Sequence, residues 1–368
     1  MQRKARFGVL AVLPVAAAVT LVVLVSGGPA ASDGTKQQAS FGPGAVVSSA
    51  PLAVTKAAQG RILAYWTEER MRNAKPVPAP RVMGKPKSGL TALGPSGPPR
   101  TIPGSAPVSS EPPLLDASGG SQTLGYTYPF PYTRHGVDGS VKRPVYRAIG
   151  KMFFTQGTTD FVCSGASVVS SPNNAVYTAG HCVSNGASAF STNVMFAPAR
   201  NPDAPKNPYG KFPGTQLWTT SAWHFSHDFT GDFAAFAVGT NSSGQTLQSQ
   251  VGTLGFAYDQ SRVQHWDVFG YPGAPFSGNR MITCKASHAT DDTAIPGSRP
   301  DPIGIGCDMT AGADGGPWIM MLNRGSLINS VSAYRYPSTE PAAMYGPYFD
   351  ILANQVRCAA ATGGSTTC

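Results

Sequence analysis

Charged residues are scarce in this sequence: they make up 13% of its 368 residues, whereas 41% are hydrophobic. So few charges exclude a long coiled coil, and the hydrophobic content excludes a chain that is disordered throughout. The 42 glycines are too few for a collagen-like repeat. The length supplies enough apolar material for a core, either in two domains or in one large β domain with an appended segment.

A net positive charge is also missing from most of the chain, although the whole chain has a net charge of +9. Residues 1–120 carry 13 Lys and Arg against 5 Asp and Glu, whereas residues 121–368 carry 15 against 14. A folded nucleic-acid binder should have its positive charge on the folded domain, because phosphate neutralisation supplies most of the affinity. The sequence therefore argues against nucleic acid as a partner.

The N-terminus has the three parts of a secretory signal peptide. Basic residues at positions 3–6 precede an apolar run at 9–25, and small residues follow up to position 31. We predict a signal peptide over 1–31 and an extracellular, secreted protein. The alternative is an uncleaved anchor, but the apolar run is short and Pro14 interrupts it. No other stretch of the sequence could span a membrane, so no membrane partner is expected once the signal is removed.

Residues 32–120 are predicted to be a pro-segment. It contains one amphipathic helix at about 54–73 and a linker at 76–113, where 11 of 38 residues are proline. The alternative is an unstructured spacer with one apolar patch. From residue 121 onward, short β-branched and aromatic runs alternate with clusters of turn residues, and only Pro347 to Cys358 has a helical pattern. This organisation predicts an all-β barrel or sandwich with a terminal helix.

The cysteines form no CxxC motif and no Cys/His ladder, which argues against structural zinc. An even number of cysteines in an exported chain predicts disulfides, and six cysteines allow 15 pairings. Sequence neighbours suggest pairing 163 with 182, 284 with 307 and 358 with 368. The six are Cys163, Cys182, Cys284, Cys307, Cys358 and Cys368.

Three motifs in a fixed order carry the chemistry: VYTAGHC at 176–182, GDFAAF at 231–236 and CDMTAGADGGPW at 307–318. They resemble the His, Asp and nucleophile motifs of chymotrypsin/trypsin-like serine peptidases. The residues of the nucleophile motif are similar to those of the secreted bacterial glutamyl-endopeptidase-like branch. The resemblance covers about residues 140–358. It implies two six-stranded antiparallel β-barrels within a peptidase domain at 121–368, with a short C-terminal helix. It also implies a base at His181, an orienting carboxylate at Asp232 and a Cys163–Cys182 disulfide.

The departure from that family is Asp314, which stands before Gly-Gly-Pro where the family has its serine nucleophile. Asp314 has no hydroxyl, and its carboxylate should pair with the imidazolium of His181. The resemblance places the oxyanion hole at the amides of Gly312 and Asp314, which could hold the chain's own carboxylate. Loss of a serine nucleophile costs on the order of a million-fold in turnover.

We therefore predict a secreted pseudopeptidase that binds a peptide or protein in its cleft. The alternatives are an active secreted serine endopeptidase and a non-catalytic structural exported protein. Ser164, Ser167 and Thr310 are other hydroxyls near the motifs, but no motif places one in front of the base. No cofactor is predicted, and the protein is expected to be a monomer.

The substrate pocket is a further expectation from the resemblance. Its wall corresponds to Val331, Ser332, Ala333 and Tyr334. Asp308 could lie at the pocket base and favour Lys or Arg, or it could be a loop residue capped by backbone amides. In glutamyl-specific members of the family that the sequence resembles, a His on the strand after the nucleophile binds the acid group of the substrate. No His follows His288 in this sequence, so specificity for Glu is disfavoured.

Two clusters of possible metal ligands occur in the sequence, but no metal is predicted. The first is His224, His227 and Asp228, which we expect to be a surface cluster whose hydrogen bonds are satisfied within the protein. The second is Asp291, Asp292 and Asp301, which we expect to be solvated carboxylates in turns.

Overall fold

A computed structural model of the chain describes residues 46–78, 82, 85–89, 94–106, 126–137, 143–201, 203, 206–297, 299–322 and 325–368. The predicted signal peptide and parts of the predicted pro-segment lie outside these residues. All elements below belong to one unit, residues 38–368.

The chain forms nineteen strands within the described residues. Four lie in the predicted pro-segment: β1 Val47–Pro51, β2 Lys75–Pro76, β3 Ser88–Gly89 and β4 Arg100–Ile102. Strand β5, Thr133–Gly136, lies near the start of the predicted peptidase domain. Six follow: β6 Ile149–Gln156, β7 Thr159–Val168, β8 Ala175–Thr178, β9 Thr192–Pro198, β10 Phe212–Thr220 and β11 Ala234–Val238. The rest are β12 Gly255–Tyr258, β13 His265–Gly270, β14 Ile282–Asp292, β15 Ile303–Gly306, β16 Pro317–Met320, β17 Leu327–Val331, β18 Tyr334–Tyr336 and β19 Glu340–Gly346.

The helices are short, and most begin at a side-chain cap. They are α1 Lys56–Tyr65, α2 Glu68–Asn73, α3 Gly180–Val183, α4 Ser221–Ser226, α5 Leu247–Val251 and α6 Ile351–Thr362. Two 3₁₀ turns span Tyr146–Ala148 and Phe229–Gly231. In the described part of the chain, none of the helices has both the length and the apolar character to cross a bilayer.

Strands β6 to β11 form a closed antiparallel barrel. The ring runs β9-β10-β11-β8-β7-β6, and it closes because β9 pairs with both β6 and β10. Most residues of these strands are buried, and β11 is wholly apolar, since the barrel interior and the neighbouring layer cover both of its faces. The second sheet has the order β18-β19-β15-β14-β13-β16-β17-β12-β4, with β3 and β5 also on β14.

The C-terminal helix α6 begins one turn later than its sequence pattern indicated. Asp350 caps it, because its Oδ1 accepts a hydrogen bond from the Leu352 N–H at 2.9 Å, and Gly363 ends it at φ 83°. Tyr177 of the barrel donates to the Ala353 carbonyl at 2.9 Å, which holds the helix to β8. The predicted all-β class with a C-terminal helix is confirmed; of the two predicted barrels, the first is the closed six-stranded barrel and the second corresponds to the 11-stranded sheet.

The N-terminal segment is more structured than its composition indicated. Its residues form two helices rather than one, interrupted at Trp66 and Thr67, where Thr67 caps α2. Its strands extend both sheets: β1 pairs with β10, β2 with β7, β4 with β12 and β3 with β14. Strand β5, which follows the segment, also pairs with β14. Trp66 is completely buried and packs beside Phe153 at a ring-centroid distance of 5.4 Å. Segment and sheets therefore share a core.

All six cysteines are in disulfides between sequence neighbours. The first bond links β7 to α3, with 6.3 Å between its Cα atoms. The second joins β14 to the residue after β15, and the third closes the end of α6. The pairs are Cys163–Cys182, Cys284–Cys307 and Cys358–Cys368.

Candidate active site

His181 lies in the single turn of α3, directly after β8. Its backbone N–H donates to Asp232 Oδ1, and its Nδ1 lies 2.8 Å from Asp232 Oδ2. The backbone of α3 lies so close to Asp232 and Trp223 that position 180 requires glycine, because a Cβ there would lie 2.9 Å from both Asp232 Oδ1 and the Trp223 ring. The imidazole is 4% exposed and Trp223 packs edge-on to it at 6.1 Å.

Asp232 reaches the imidazole because of the barrel register. Strand β11, which begins two residues after Asp232, pairs with β8, and its Ala234 lies opposite Thr178. The residues just outside that pair, Asp232 and His181, therefore meet at the same barrel edge. Asp232 is completely buried, and two contacts to His181 fix the ring orientation. The two residues that the motifs predicted as base and orienting carboxylate are thus in contact.

Asp314 lies in the tight loop between β15 and β16. Its carbonyl accepts a hydrogen bond from the Ser164 N–H at 2.8 Å, which anchors the loop to β7. Glycine is needed next in the chain: Gly315 has φ 78°, and a Cβ there would lie 2.0 Å from Thr178 Oγ1. These contacts bring the loop against the strands that carry His181.

The carboxylate of Asp314 folds back onto its own loop. Gly312 N–H donates to Asp314 Oδ2 at 3.2 Å. Gly312 adopts φ 96°, a conformation that favours glycine. The Asp314 side chain is only 3% exposed. The amide that the resemblance assigned to the oxyanion hole therefore binds the chain's own carboxylate.

Charges at the site are strongly coupled. Burial raises the pKa of Asp314 to about 6, although the nearby His181 charge and the Gly312 N–H act in the opposite direction. Burial alone would lower the pKa of His181, but the charge and hydrogen bond of Asp232, with the charge of Asp314, raise it overall. The charges of both carboxylates thus favour the protonated imidazole. The expected direct pairing of Asp314 with His181 is not formed: Asp314 Oδ2 accepts from the Gly312 N–H, and His181 Nε2 has no hydrogen-bond partner among the described residues.

Nothing in the described part of the chain supplies a hydroxyl to the base. His181 Nε2 is buried and has no hydrogen-bond partner there. Ser164 Oγ donates to the Gly312 carbonyl at 2.7 Å and accepts from the Tyr271 N–H. The other two hydroxyls considered from the sequence, Ser167 and Thr310, donate to the carbonyls of Gly252 and Ala274.

The expected pocket wall is buried. Val331, Ser332, Ala333 and Tyr334 are all completely buried. Phe130 belongs to the same apolar cluster as the last two. The Tyr334 hydroxyl donates to Asp292 at 2.9 Å.

Asp308, the candidate pocket base, is already paired. It forms an ion pair with Arg134 of β5. Tyr132 also hydrogen-bonds to it, and this bond together with burial raises the pKa of the Tyr132 phenol. Arg134 was not a candidate from the sequence, because it lies 174 residues from Asp308 and only the pairing of β5 with β14 brings it close.

The two other clusters each have local roles. His224 lies on Phe190 at 4.2 Å and its Nδ1 lies 2.7 Å from Ser184 Oγ, while Asp228 caps the 3₁₀ turn through the Thr230 N–H. His227 packs edge-on to a Trp ring.

In the second cluster, Asp291 pairs with Arg262 at 2.6 Å, and Asp292 accepts from the hydroxyls of Tyr334 and Tyr336. Asp292 is completely buried, so it is not a solvated turn carboxylate as expected. Asp301 contributes its carbonyl to Arg262.

Comparisons with known proteins place this geometry among proteases. A thermostable serine protease, AL20, from an extremophilic microorganism is 36% identical; the match covers 59% of this chain and 97% of that one, with a TM-score of 0.54. The protease Anisep of Arthrobacter nicotinovorans is 34% identical over 58% of this chain and 95% of that one, with a TM-score of 0.53. No protein-family model matches the chain.

With that identity over nearly the whole of AL20, the chain belongs to the chymotrypsin-like serine protease family. A curated relative, an extracellular metalloprotease of Bacillus subtilis, is 31% identical over 189 residues, which is 48% of this chain. The chain spans about half, 53%, of that relative's length.

That relative's name raises the question of a metal. Among the described residues, the one group with clustered donor atoms is Cys163, His181 and Cys182, all within 4.8 Å. The two sulfurs are bonded to each other, so neither is a thiolate, and His181 Nδ1 is engaged by Asp232. This donor set does not fit a metal centre.

Proposed function

We propose that this chain is a secreted serine-protease homologue that binds peptides or proteins in its cleft without cleaving them. The proposal depends on one observation: at the nucleophile position the side chain is the buried carboxylate of Asp314, held by the Gly312 N–H. We also propose a signal peptide over 1–31, a pro-segment over 32–120 and a peptidase-like domain over 121–368, in the glutamyl-endopeptidase-like branch.

The chemistry of a carboxylate at this position opposes catalysis. In the serine mechanism, the base removes a hydroxyl proton, the oxygen attacks the carbonyl and backbone N–H groups stabilise the oxyanion. Asp314 has no hydroxyl proton to give. Its attack on an amide would form a mixed anhydride, and the amine would be a far worse leaving group than the carboxylate. Its charge also favours the protonated form of His181, which cannot act as a base.

The size of the effect distinguishes a slow enzyme from a disabled one. Loss of the serine nucleophile in a bacterial serine protease costs on the order of a million-fold, with about 10³–10⁴ over water remaining from binding and the oxyanion hole. Here Gly312, one of the two expected oxyanion donors, is engaged as well. The expected residual rate is too low for useful proteolysis.

The relatives support a cleft for peptides, since AL20 and Anisep are named as proteases. The extracellular location named for the Bacillus subtilis relative and the three disulfides support secretion. Asp232 and the disulfide beside His181 preserve the frame of a serine protease, so the difference lies in the attacking group.

A serine-reactive fluorophosphonate probe tests the proposal. The wild type should remain unlabelled, and Asp314→Ser should be labelled if the remaining frame is competent. His181→Ala in the serine variant is the matched control, because loss of the base should abolish labelling. Labelling of the wild type at any serine beside His181 would refute the proposal and favour an active endopeptidase.

A further inference from the structure

The disulfide at the end of α6 differs from the other two in its exposure. Cys358 is completely buried, but its partner, Cys368, is exposed. In the other two disulfides, all four cysteines are completely buried. Of the six cysteines, Cys368 is therefore the one that a reagent in solution can approach directly.

The loop that carries Cys368, residues 364–368, is held by local contacts. Its first residue, Gly364, has φ 146°, and a Cβ on it would meet nothing within 4 Å. The Ser365 N–H donates to Thr362 Oγ1 at 2.8 Å, and the Thr367 N–H donates to Ser365 Oγ at 3.3 Å. These contacts do not involve the β-sheets, so opening the disulfide would free the loop while the sheets keep their pairing.

The guanidinium of Arg357 lies against both sulfurs of this disulfide. Its Nη2 lies 3.3 Å from Cys358 Sγ and 2.8 Å from Cys368 Sγ. Its Nε donates to Asn354 Oδ1 at 2.9 Å, and its Nη1 donates to the Val169 carbonyl at 3.0 Å. All four of these partners are uncharged, and Arg357 is only 5% exposed. These contacts therefore leave a positive charge beside the disulfide that they do not neutralise and that water screens only weakly.

This arrangement favours attack on one sulfur over the other. In thiol–disulfide exchange, a thiolate attacks one sulfur of a disulfide and the second sulfur leaves as a thiolate. Attack on the exposed Cys368 Sγ forms a bond to the external sulfur, breaks the bond to Cys358 and leaves both electrons of that bond on Cys358 Sγ. The guanidinium of Arg357 stabilises the departing thiolate. The reverse attack, by the Cys358 thiolate, expels the external thiol and restores the disulfide.

We infer that Cys358–Cys368 is a thiol–disulfide exchange site, at which an external aliphatic thiol is attached reversibly to Cys368. The other two disulfides should resist the same reagent in the folded protein, because their sulfurs are buried. The exchange involves neither Asp314 nor His181, so it is independent of whether the protein hydrolyses peptide bonds.

The probe for this site is reduced glutathione, added briefly to the native wild-type protein. Iodoacetamide then alkylates every free thiol, and peptide mapping by mass spectrometry locates both labels. At early times, we expect glutathione on Cys368, the alkyl group on Cys358 and the other four cysteines still paired. In urea, where all six sulfurs are accessible, this preference should disappear. Glutathione on Cys358 in the native protein, or opening of a buried disulfide at the same rate, would overturn the assignment.

Substitutions of arginine test the role of the guanidinium. Arg357→Gln should slow the opening of this disulfide by about threefold or more, because the leaving thiolate loses its cation, whereas Arg357→Lys keeps a positive charge and should stay within about twofold of the wild type. Arg280→Gln is the matched control, because this side chain is about half exposed and pairs with Asp203, and its rate should equal that of the wild type. If Arg357→Gln reacts as fast as the wild type, the inference is wrong. If Arg357→Gln does not fold, the mapping on the wild type decides the result.

Discussion

The buried carboxylate of Asp314 should make the protein's stability depend on pH in a specific way. Its pKa rises from the ordinary 3.8 to about 6 in the folded state, mainly because burial disfavours the charge. Well below pH 3.8, the group is protonated in both the folded and unfolded states. As the pH rises from 3.8 through 6, the unfolded state releases its proton before the folded state does, and the stability associated with the protonated form is lost.

The magnitude follows from the two pKa values. A tenfold change in a protonation constant is worth about 1.4 kcal/mol, so the rise corresponds to about 3 kcal/mol. Asp314→Asn removes the titration but keeps an oxygen that can accept from the Gly312 N–H. The free energy of unfolding of the variant, minus that of the wild type, should therefore increase by about 3 kcal/mol between pH 4 and pH 8.

Urea unfolding at several pH values, followed by tryptophan fluorescence with the disulfides intact, measures this difference. Asp203→Asn is the control, because this side chain is about 70% exposed, and its difference from the wild type should remain constant with pH. A difference between Asp314→Asn and the wild type that is also independent of pH would show that the carboxylate is not buried as described. A difference that decreases with pH would contradict the sign of the argument.

Three further changes test the site and the segment that packs on it. Asp314→Asn should lower the pKa of His181, measured by NMR titration, because one of the charges that favour the imidazolium is removed. An unchanged pKa would show that the charge of Asp314 does not act on the imidazole. Gly312→Ala should destabilise the fold by at least about 1 kcal/mol in urea unfolding, because alanine is strained at positive φ and its Cβ would lie 2.8 Å from a backbone carbonyl oxygen. Wild-type stability of that variant would refute the loop geometry. Trp66→Ala should cost about 3–5 kcal/mol in the same assay, whereas the exposed Val54→Ala should stay within about 0.5 kcal/mol; equal effects would mean that the segment does not share the core.

Much of the fold and part of the site could be predicted because their signals are local in sequence. The His181 and Asp232 motifs each lie at the end of a buried strand, and the pairing of β8 with β11 brings them together. The disulfide beside His181 joins β7 to the nearby helix α3, and the pairing of cysteines that are neighbours in sequence predicted all three bonds correctly.

The rest depended on contacts between distant parts of the chain. Four short strands of the N-terminal segment are held by strands of the two sheets, and a stretch such as Lys75–Pro76 has no strand propensity of its own. The pairing of Arg134 with Asp308 depends on the register of β5 on β14, which no local pattern specifies. Asp292 was expected to be solvated because its neighbourhood in sequence is rich in Gly and Pro, but it is completely buried and binds the hydroxyls of two tyrosines of β18.

The central claim is that a carboxylate at position 314 disables an otherwise intact protease frame. Hydrolysis of fluorescein-labelled casein by the wild type and by Asp314→Ser, purified side by side, tests this claim most directly. The account predicts no hydrolysis above background for the wild type and a measurable rate for the serine variant, which should disappear when His181 is replaced by Ala in that variant. Equal rates for the wild type and Asp314→Ser would contradict it.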